Sequence, residues 1–495
     1  MPITYFVAFL VALMVGAALT LVVRHFAHRF GWLDQARSSR KVHRAPIPRL
    51  GGVAIVGGFF APLLGLFWVD SFVGETFQAA TQLVWGLFIG GLAIALLGLY
   101  DDLRGAGAPL KFAVQCAVAF ALYQLGARIE VLANPFGAPL QLGVFSLPFT
   151  VLWIVGVVNA MNLIDGLDGL AGGVAFFAVA TNFALAATRG DILMCLMMAA
   201  LGGAILGFLV FNFNPASIFM GDTGSMFLGF VLAITSVVTS TKSGTAVAIL
   251  VPVISLGLPI MDTLLAMVRR TLLGRPMFSA DKEHIHHRLM SRVHLSHRNA
   301  VLVLYALCCL FGLTALGLSF ANSAQSAMLL AGMAIVIIVL MRKLGYLTPK
   351  QVLAVNEARK RNVELRAMVK NVIEAVRTAE QLTDIWAAIA PLAGVMDAAK
   401  LELALQRGSD GGGEGFSFST TRPSGSAVPL EVRLEIRVTQ RPVGFISMSW
   451  CDGRSEVNRD EELALELVAD SIGETAARLF ALEAADPDRV VALRK

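Results

Sequence analysis

Long apolar runs separated by short polar loops fill the first two thirds of the chain. A helix needs about 20 apolar residues to cross a bilayer. Eleven runs approach that length, near 3–23, 50–69, 81–100, 110–126, 148–163, 170–187, 192–211, 224–240, 246–267, 300–319 and 326–341. The first run lacks a basic segment before it and a small-residue cleavage site, so we interpret it as a retained span and not as a signal peptide. The pattern predicts an α-helical polytopic membrane protein of about 11 transmembrane helices.

The pattern changes after residue 341. Residues 351–381 carry apolar positions at helical spacing between charges, which predicts a long amphipathic helix. Two more helices are predicted near 383–396 and 459–483, and residues 426–450 alternate like strands with a break at Arg441-Pro442. The glycine-rich segment 408–415 predicts a flexible loop. We therefore expect a membrane domain over residues 1–341, a helical linker over 342–382 and a cytoplasmic α+β domain over 383–495.

Composition agrees with this division. Hydrophobic residues make up 56% of the 495 residues, too many for an ordinary soluble protein. Residues 1–341 hold 13 acidic and 19 basic residues, whereas residues 342–495 hold 22 and 21. The five cysteines include no CxxC pair, so neither a zinc site nor a disulfide framework is indicated. We expect no nucleic-acid partner.

Basic residues predict the orientation in the membrane. Loops after odd-numbered spans hold 16 Lys and Arg residues, and loops after even-numbered spans hold three. Because positive loops stay in the cytoplasm, the N-terminus is expected outside and the C-terminal domain inside. Six carboxylates then lie at cytoplasmic span ends: Asp101, Asp102, Asp165, Asp168, Asp222 and Asp262.

The stretch Asn159–Leu170, NAMNLIDGLDGL, combines two carboxamides and two carboxylates directly after an apolar run. Carboxylates at the end of a span are costly unless they pair, line a wet cavity or hold a cation. The alternative is a plain turn, which Asn, Asp and Gly also favour. Recurrence of the same chemistry at three other span ends favours a functional site.

Acidic clusters beside basic loops suit a divalent cation that carries phosphate, since Mg²⁺ binds through one or two carboxylates plus phosphate oxygens. In FNFNPASIFMGDTGS (211–225), Asp222 lies between glycines at a helix start and fits a metal ligand, with an N-cap as the alternative. Phe211, Phe213 and Phe219 suit stacking on a base or anchoring at the membrane interface. An ion path would instead place carboxylates near the middle of the membrane.

Two basic segments complete the candidate set. KVHRAPIPRLGG (41–52) joins Lys41, His43 and Arg49 to a Pro/Gly turn before the second span. The tendency of cytoplasmic loops to be basic explains the Lys and Arg residues of this segment, but not its histidine or the spacing of its prolines and glycines. DKEHIHHRL (281–289) presents three histidines in a basic loop, where contact with phosphate or sugar is favoured over zinc because a fourth ligand is missing.

Taken in order, KVHRAPIPRLGG, GLYDDLRG, NAMNLIDGLDGL, FMGDTGS and HIHHRL resemble the motifs of the polyprenyl-phosphate N-acetylhexosamine-1-phosphate transferase family. The resemblance covers about residues 1–341. It implies transfer of a sugar-1-phosphate from a UDP-sugar to undecaprenyl phosphate at the cytoplasmic face of the bacterial inner membrane. Release of UMP and dependence on Mg²⁺, with Mn²⁺ as the alternative, are part of the same expectation.

The resemblance also assigns roles to residues. Asp222 matches the metal-binding aspartate, with Asn162 as a second metal candidate. Asp101, Asp102 and Asp165 are the catalytic candidates, and Asp101 is favoured for deprotonating the lipid phosphate. Phe219 matches the residue that stacks on uracil. The full set of substrate-binding candidates is Lys41, His43, Arg49, Asn159, Asn162, Asp168, Phe219, His284, His286, His287 and Arg288.

Two details resemble the UDP-N-acetylglucosamine branch. Ile285 interrupts the His run, and the early loop reads Ile-Pro-Arg-Leu-Gly-Gly, whereas the branch that uses UDP-MurNAc-pentapeptide has three consecutive His and Thr-Pro-Thr-x-Gly-Gly. The favoured role is initiation of a surface polysaccharide. Other UDP-N-acetylhexosamines, UDP-MurNAc-pentapeptide and, in another class, a lipid-linked-sugar transporter are the alternatives. The tail resembles a GAF-type module in topology only, and a homodimer and docking of downstream glycosyltransferases are left open.

Overall fold

The structure of the protein is a computed structural model. It describes residues 2–34, 47–69, 72–79, 81–132, 139–242, 250–272, 284–346, 349–406, 415–421, 430–438, 441–454, 457 and 459–485. By internal contacts the chain divides into two units, Met1–Arg269 with Phe278–Thr348 and Arg270–Met277 with Pro349–Lys495. Each unit has a hydrophobic core of its own.

Helices dominate the described part of the chain before residue 345. In order they are α1 Pro2–Phe30, α2 Gly51–Gly65, α3 Phe72–Ala79, α4 Thr81–Arg104, α5 Ala108–Gln124, α6 Ser146–Ile164, α7 Leu170–Arg189, α8 Ile192–Asn212, α9 Gly221–Lys242, α10 Leu250–Ser255, α11 Gly257–Leu272, α12 Ile285–Arg292, α13 His297–Leu318 and α14 Ser323–Lys343. Two short antiparallel pairs join β1 Leu33–Asp34 to β2 Ile47–Pro48, and β3 Val131–Leu132 to β4 Leu140–Gln141. The second pair lies within residues 127–147, a β-branched and turn-rich segment whose sequence predicts a small hairpin.

Nine helical segments in the described part of the chain are long and apolar enough to cross a membrane. The predicted α-helical polytopic membrane fold is therefore confirmed, but the count of eleven is not. Helix α5 has only 17 residues. The predicted span 246–267 is interrupted between α10 and α11. Pro259 explains the interruption, because it has no N–H to donate to the carbonyl of Ser255 four residues earlier.

Helices α8 and α9 form the centre of the first unit. Helix α9 packs against α2, α4 and α6, and α8 packs against α1, α2 and α7. Both central helices are buried on nearly all sides, which requires other helices to surround them. The N-terminus of α9 consequently lies where α2 and α4 meet it.

Helices α1 and α8 approach each other closely at two glycines. A Cβ atom at Gly203 would lie 2.2 Å from the carbonyl oxygen of Phe9, and one at Gly207 would lie 2.4 Å from that of Leu13. Small residues four positions apart let the backbones of membrane helices come together, where van der Waals packing replaces the hydrophobic effect. The two glycines therefore determine how closely α1 packs on α8.

The second unit combines a four-stranded antiparallel sheet with helices. The helices are α15 Pro349–Thr378, α16 Leu382–Ile389, α17 Leu392–Val395 and α18 Arg459–Ala485, and the strands are β5 Lys400–Gln406, β6 Gly415–Thr421, β7 Leu430–Val438 and β8 Arg441–Trp450, in the order β6-β5-β8-β7. Helices α15 and α18 occupy the positions of predicted helices, and Pro391 separates α16 from α17 within 383–396. Pro442 lies inside β8 at an irregularity in its pairing with β7, one of the few sheet positions that tolerate proline.

Substitution of Gly203 by leucine should destabilise the first unit, because the new side chain must force α1 away from α8. Overpacking of this kind costs about 1–3 kcal/mol. Thermal unfolding of the full-length protein in detergent measures the effect as a lower Tm. Gly332→Leu in α14 is the matched control, since a Cβ there meets no atom within 4 Å. Equal Tm values for the two variants would contradict the packing argument.

Candidate active site

A single lysine links two of the predicted carboxylates. Lys111, in the first turn of α5, places Nζ 3.0 Å from Oδ2 of Asp101 and 2.9 Å from Oδ2 of Asp222. Asp101 lies near the end of α4, and Asp222 begins α9. The structure thus brings together two carboxylates that are 121 residues apart. Lys111 was not among the candidates, because the sequence shows it only as one of many basic loop residues.

Asp102 holds the start of α9. Its Oδ1 accepts a hydrogen bond from the backbone N–H of Asp222 at 2.9 Å, and its Oδ2 accepts from the N–H and hydroxyl of Thr223 at 3.0 and 2.7 Å. The first N–H groups of a helix have no partner within the helix, and an anion is favoured there. This contact positions Asp222. A catalytic role for Asp102 stays a prediction.

The early loop is paired through its backbone with the segment before α9. The N–H groups of Gly51 and Gly52 donate to the carbonyls of Phe219 and Met220 at 2.9 and 2.8 Å, and the N–H of Phe219 donates to the carbonyl of Pro48 at 2.7 Å. A Cβ at Gly52 would lie 2.1 Å from the nitrogen of Gly224. The structure therefore places the Arg49 segment beside Phe219.

The early loop also contains two of the predicted substrate-binding residues. Lys41 and His43 lie outside the residues that the structure describes. Their roles in substrate binding stay predictions.

The two asparagines of α6 have different partners. Asn162 contacts the carboxylate of Asp222 and donates from Nδ2 to the hydroxyl of Ser225 at 3.0 Å. Asn159, one turn earlier, donates to Oε1 of the buried Gln115 at 2.6 Å and to the carbonyl of Val155. Asn162 is thus next to the predicted metal ligand, whereas Asn159 links α6 to Gln115 of α5.

Asp168 is hydrogen-bonded to the loop that precedes α9. Its Oδ2 accepts hydrogen bonds from Nδ2 of Asn214 at 2.9 Å and from the N–H of Ala216 at 3.1 Å. Its backbone N–H donates to Nε2 of His297 at 3.0 Å. The carboxylate is buried. These contacts hold the loop against the turn after α6, and His297 was not foreseen from the sequence.

Asp165 differs from its neighbours because no described residue donates a hydrogen bond to its carboxylate. Desolvation raises the pKa of Asp165 to about 8, and the negative charges of Asp222, Asp102 and Asp168 contribute to the same rise. The protein therefore holds a carboxylate that gains from any cation or proton placed beside it.

The histidine motif forms the start of α12. Nδ1 of His284 lies 2.7 Å from Oδ2 of the buried Asp262, whose Oδ1 accepts the N–H of Ile285 at 2.8 Å. The ring of His286 stacks parallel to that of His284 at 5.7 Å and lies 4.3 Å from that of His287. Asp262 thus fixes the beginning of the helix that carries the three histidines.

His286 reaches the turn after α6. A Cβ at Gly166 would lie 2.7 Å from Nε2 of His286, so this ring is next to the Asp165 segment. Both ring nitrogens are buried and lack a hydrogen-bond partner among the described residues. Burial, followed by the charge of His287, lowers the pKa of His286 to about 3, so the ring is neutral. A ligand that supplies hydrogen bonds here would relieve a costly arrangement.

Arg288 points to the end of α14. Its guanidinium donates to the carbonyl of Leu344 at 3.0 Å and lies 3.9 Å from the centre of the Tyr346 ring. A buried cation over an aromatic ring contributes about 2 kcal/mol. Arg288 therefore anchors α12, and its predicted role in substrate binding stays a prediction. Tyr346 was not foreseen, because aromatic residues after a span are common.

The arrangement suits a cation bound together with a phosphate. No group of three or more His, Cys, Asp or Glu side chains in the described part of the chain has the spacing of a metal site. Asp222 and Asn162 offer two adjacent oxygen-bearing side chains, and Mg²⁺ needs no more from the protein when phosphate and water complete its shell. The residues present therefore fit a magnesium–phosphate complex better than a metal held by protein alone.

Known proteins resemble this chain over the membrane region. Residues 84–240 match the family model described as Glycosyl transferase family 4. The chain is 41% identical over 317 residues, 64% of its length and 85% of the relative, to a probable undecaprenyl-phosphate N-acetylglucosaminyl 1-phosphate transferase of Bacillus subtilis. It is 37% identical over 337 residues, 64% and 82% of the two chains, to a decaprenyl-phosphate N-acetylglucosaminephosphotransferase of Mycolicibacterium smegmatis. A phospho-N-acetylmuramoyl-pentapeptide-transferase of Listeria monocytogenes is 36% identical over 211 residues, 40% and 63%.

Removal of the aromatic ring at position 346 should loosen α12. In Tyr346→Leu, Arg288 loses its stacking partner, and we expect backbone amides of residues 285–292 to exchange with deuterium about 30-fold faster, the factor that corresponds to about 2 kcal/mol. Tyr346→Phe keeps the ring and serves as the control. Unchanged exchange in the leucine variant would mean that the ring does not hold the helix.

Asp165 should make stability fall as the pH rises. Its pKa is about 8 in the folded protein, against an ordinary aspartate value of 3.8, so between these values the native state binds more protons than the unfolded state. Asp165→Asn removes this dependence and should have a higher Tm than the parent at pH 8, with a smaller difference at pH 5. Glu364→Gln, at an exposed position of α15, controls for charge. A parent that becomes more stable from pH 5 to pH 8 relative to the variant would contradict the prediction.

Proposed function

Because this chain belongs to glycosyl transferase family 4, the polyprenyl-phosphate N-acetylhexosamine-1-phosphate transferases, we propose that it transfers a sugar-1-phosphate from a UDP-sugar to undecaprenyl phosphate and releases UMP. The observation that carries the proposal is the set of Asp101, Lys111 and Asp222, with Asp165, whose carboxylate has no hydrogen-bond donor among the described residues, nearby. These four residues lie at or near the ends of apolar helices, where a lipid-borne phosphate can meet a water-soluble donor. GlcNAc-1-phosphate is the favoured group.

The donor is bound on the side of Asp165 and His286. Phe219, beside the early loop, stacks on uracil, and the neutral His286 ring hydrogen-bonds the sugar or its phosphate. Asp168 holds the loop that carries Asn214 in place against the same turn. These assignments follow the family motifs, and they are supported by the contact between the Gly166 turn and the His286 ring.

Lys111 and the carboxylates bind the metal, neutralise phosphate charge and accept a proton during the transfer. Magnesium held by Asp222 and Asn162 would supply polarisation of the donor pyrophosphate. When substrate binds, the ammonium group of Lys111 exchanges part of its contact with Asp101 and Asp222 for contact with phosphate oxygens of the donor or acceptor, whose charge it neutralises. Asp101 is the expected base for the lipid phosphate, and Asp165, with its pKa near neutrality, is the alternative. We favour direct attack of the lipid phosphate, since an ionised phosphate is already nucleophilic.

The membrane orientation and the pathway complete the proposal. The 16 basic residues in the odd-numbered loops favour a site on the cytoplasmic face of the bacterial inner membrane. The product would begin a cell-surface polysaccharide. UDP-N-acetylglucosamine is favoured as the donor by the Ile285 interruption of the His run and by the names of the relatives with the longer matches.

Release of UMP tests the reaction. Full-length protein in detergent with undecaprenyl phosphate, Mg²⁺ and a panel of UDP-sugars should release UMP with UDP-N-acetylglucosamine. Asp222→Asn should lower turnover by about 100-fold or more, as loss of a charge-stabilising group does, and EDTA should abolish it. Asp191→Asn, at a helix N-cap that asparagine also serves, is the matched control.

Each result decides part of the proposal. UMP release with another UDP-sugar alone would keep the reaction and change the donor. Activity that survives both Asp222→Asn and EDTA would refute the metal role. No release with any donor would refute the transferase.

A further inference from the structure

Among the described side chains of the second unit, three large apolar ones are exposed, and all three lie on its two long helices. Among the described side chains from residue 361 onward, they are Val363 of α15, at 53% exposure, and Leu463 and Leu467 of α18, at 38% and 46%. Single exposed apolar residues on a soluble domain are ordinary. Their restriction to one helix pair is what makes these three informative.

Helices α15 and α18 run parallel and in register. Nη2 of Arg361 lies 2.6 Å from Oε1 of Glu461, and Nη2 of Arg478 donates to the carbonyl of Ala379 at 2.8 Å. The numbering offset is therefore about 100 at both ends of the contact. Val363 and Leu463 lie at the same level along the pair, with Leu467 one turn further, so the three side chains form one patch.

The patch faces away from the core of the unit. Leu365 of α15 and Leu465 of α18 are buried in that core. Val363 lies two positions before Leu365, and Leu463 two positions before Leu465. At 100° per residue, each exposed side chain is therefore about 160° around its helix from the buried leucine. Lys370 and Asp470, seven residues after Val363 and Leu463, return to the same outward face. No described residue forms an ion pair with either of them.

We propose that this helix face binds the same face of a second copy of the chain, around a two-fold axis parallel to α15 and α18. That symmetry places Lys370 of each copy at the level of Asp470 of the other, so opposite charges meet beside the apolar patch. It also leaves both α15 N-termini at the same end. This is required when α15 follows the last membrane helix, α14, and both copies are inserted in one membrane in the same orientation.

A small patch is sufficient under these conditions. Two copies confined to one bilayer meet at a much higher effective concentration than free proteins do, so weak contacts are enough to hold a dimer. The helices also supply length, since 30 and 27 residues correspond to about 45 and 40 Å. The proposal does not depend on the proposed transferase activity.

Site-directed cross-linking of the full-length protein in membranes tests the pairing. Leu467→Cys treated with a flexible bismaleimide should yield a dimer band at least about fivefold above Ala375→Cys, whose exposed side chain lies about 120° around α15 from Val363. The parent protein reports the background from the native cysteines. Equal dimer yield from the two variants, no dimer, or a cross-linked product of Leu467→Cys with the mass of another protein would each overturn the proposal.

Charge reversal tests the arrangement in the Leu467→Cys background. Lys370→Asp or Asp470→Lys alone should lower cross-linking about two- to fivefold, as loss of an exposed ion pair does. The double reversal should restore the parental level, because the pair is remade with its charges exchanged. Failure of the double variant to recover would overturn the proposed parallel register.

Discussion

The bridge from Lys111 to Asp101 and Asp222 is the interaction on which the candidate site depends. Carboxylates at the ends of apolar helices repel one another and are poorly solvated, so they can be gathered only if their charge is compensated. Lys111 compensates two of them, the helix N-terminus at Asp222 and Thr223 compensates Asp102, and Asn214 with Ala216 compensates Asp168. Asp165 is left as the carboxylate that no described residue compensates, and a cation bound beside it would favour its ionised form.

The N-terminus of α9 connects these parts. It is capped from α4 by Asp102, touched from α2 by Gly52, and preceded by a segment whose backbone bonds to the early loop. Each of these contacts is made by backbone or by a short side chain, which leaves little freedom for Asp222 to move. A site that must orient a phosphate benefits from such rigidity, because orientation is then established before the substrate arrives.

The histidine helix is held from outside the site. Asp262 fixes its first residues, and Tyr346 with the carbonyl of Leu344 fixes Arg288 further along the helix. His286 then projects against the Gly166 turn, with nitrogens that no described residue satisfies. The motif HIHHR thus combines His286, which is suited to contact a ligand, with Arg288, which anchors the helix. The amino-acid sequence alone does not distinguish these two roles.

Apolar periodicity and motif order were enough to predict the membrane class, the family and the placement of five of the six carboxylates at helix ends. These properties depend on local composition and on the length of the apolar segments, both of which can be read directly from the sequence. Asp262 was wrongly placed, because α11 extends from Gly257 to Leu272 around it. The sequence also contained the alternation of Leu401, Leu403 and Leu405 that marks β5, a signal that competing loop residues on both sides obscured. Only the tertiary structure decided which carboxylate is compensated by which partner. Lys111, Tyr346 and His297 act across distances of many residues, and contacts of that kind exist only after the helices have packed.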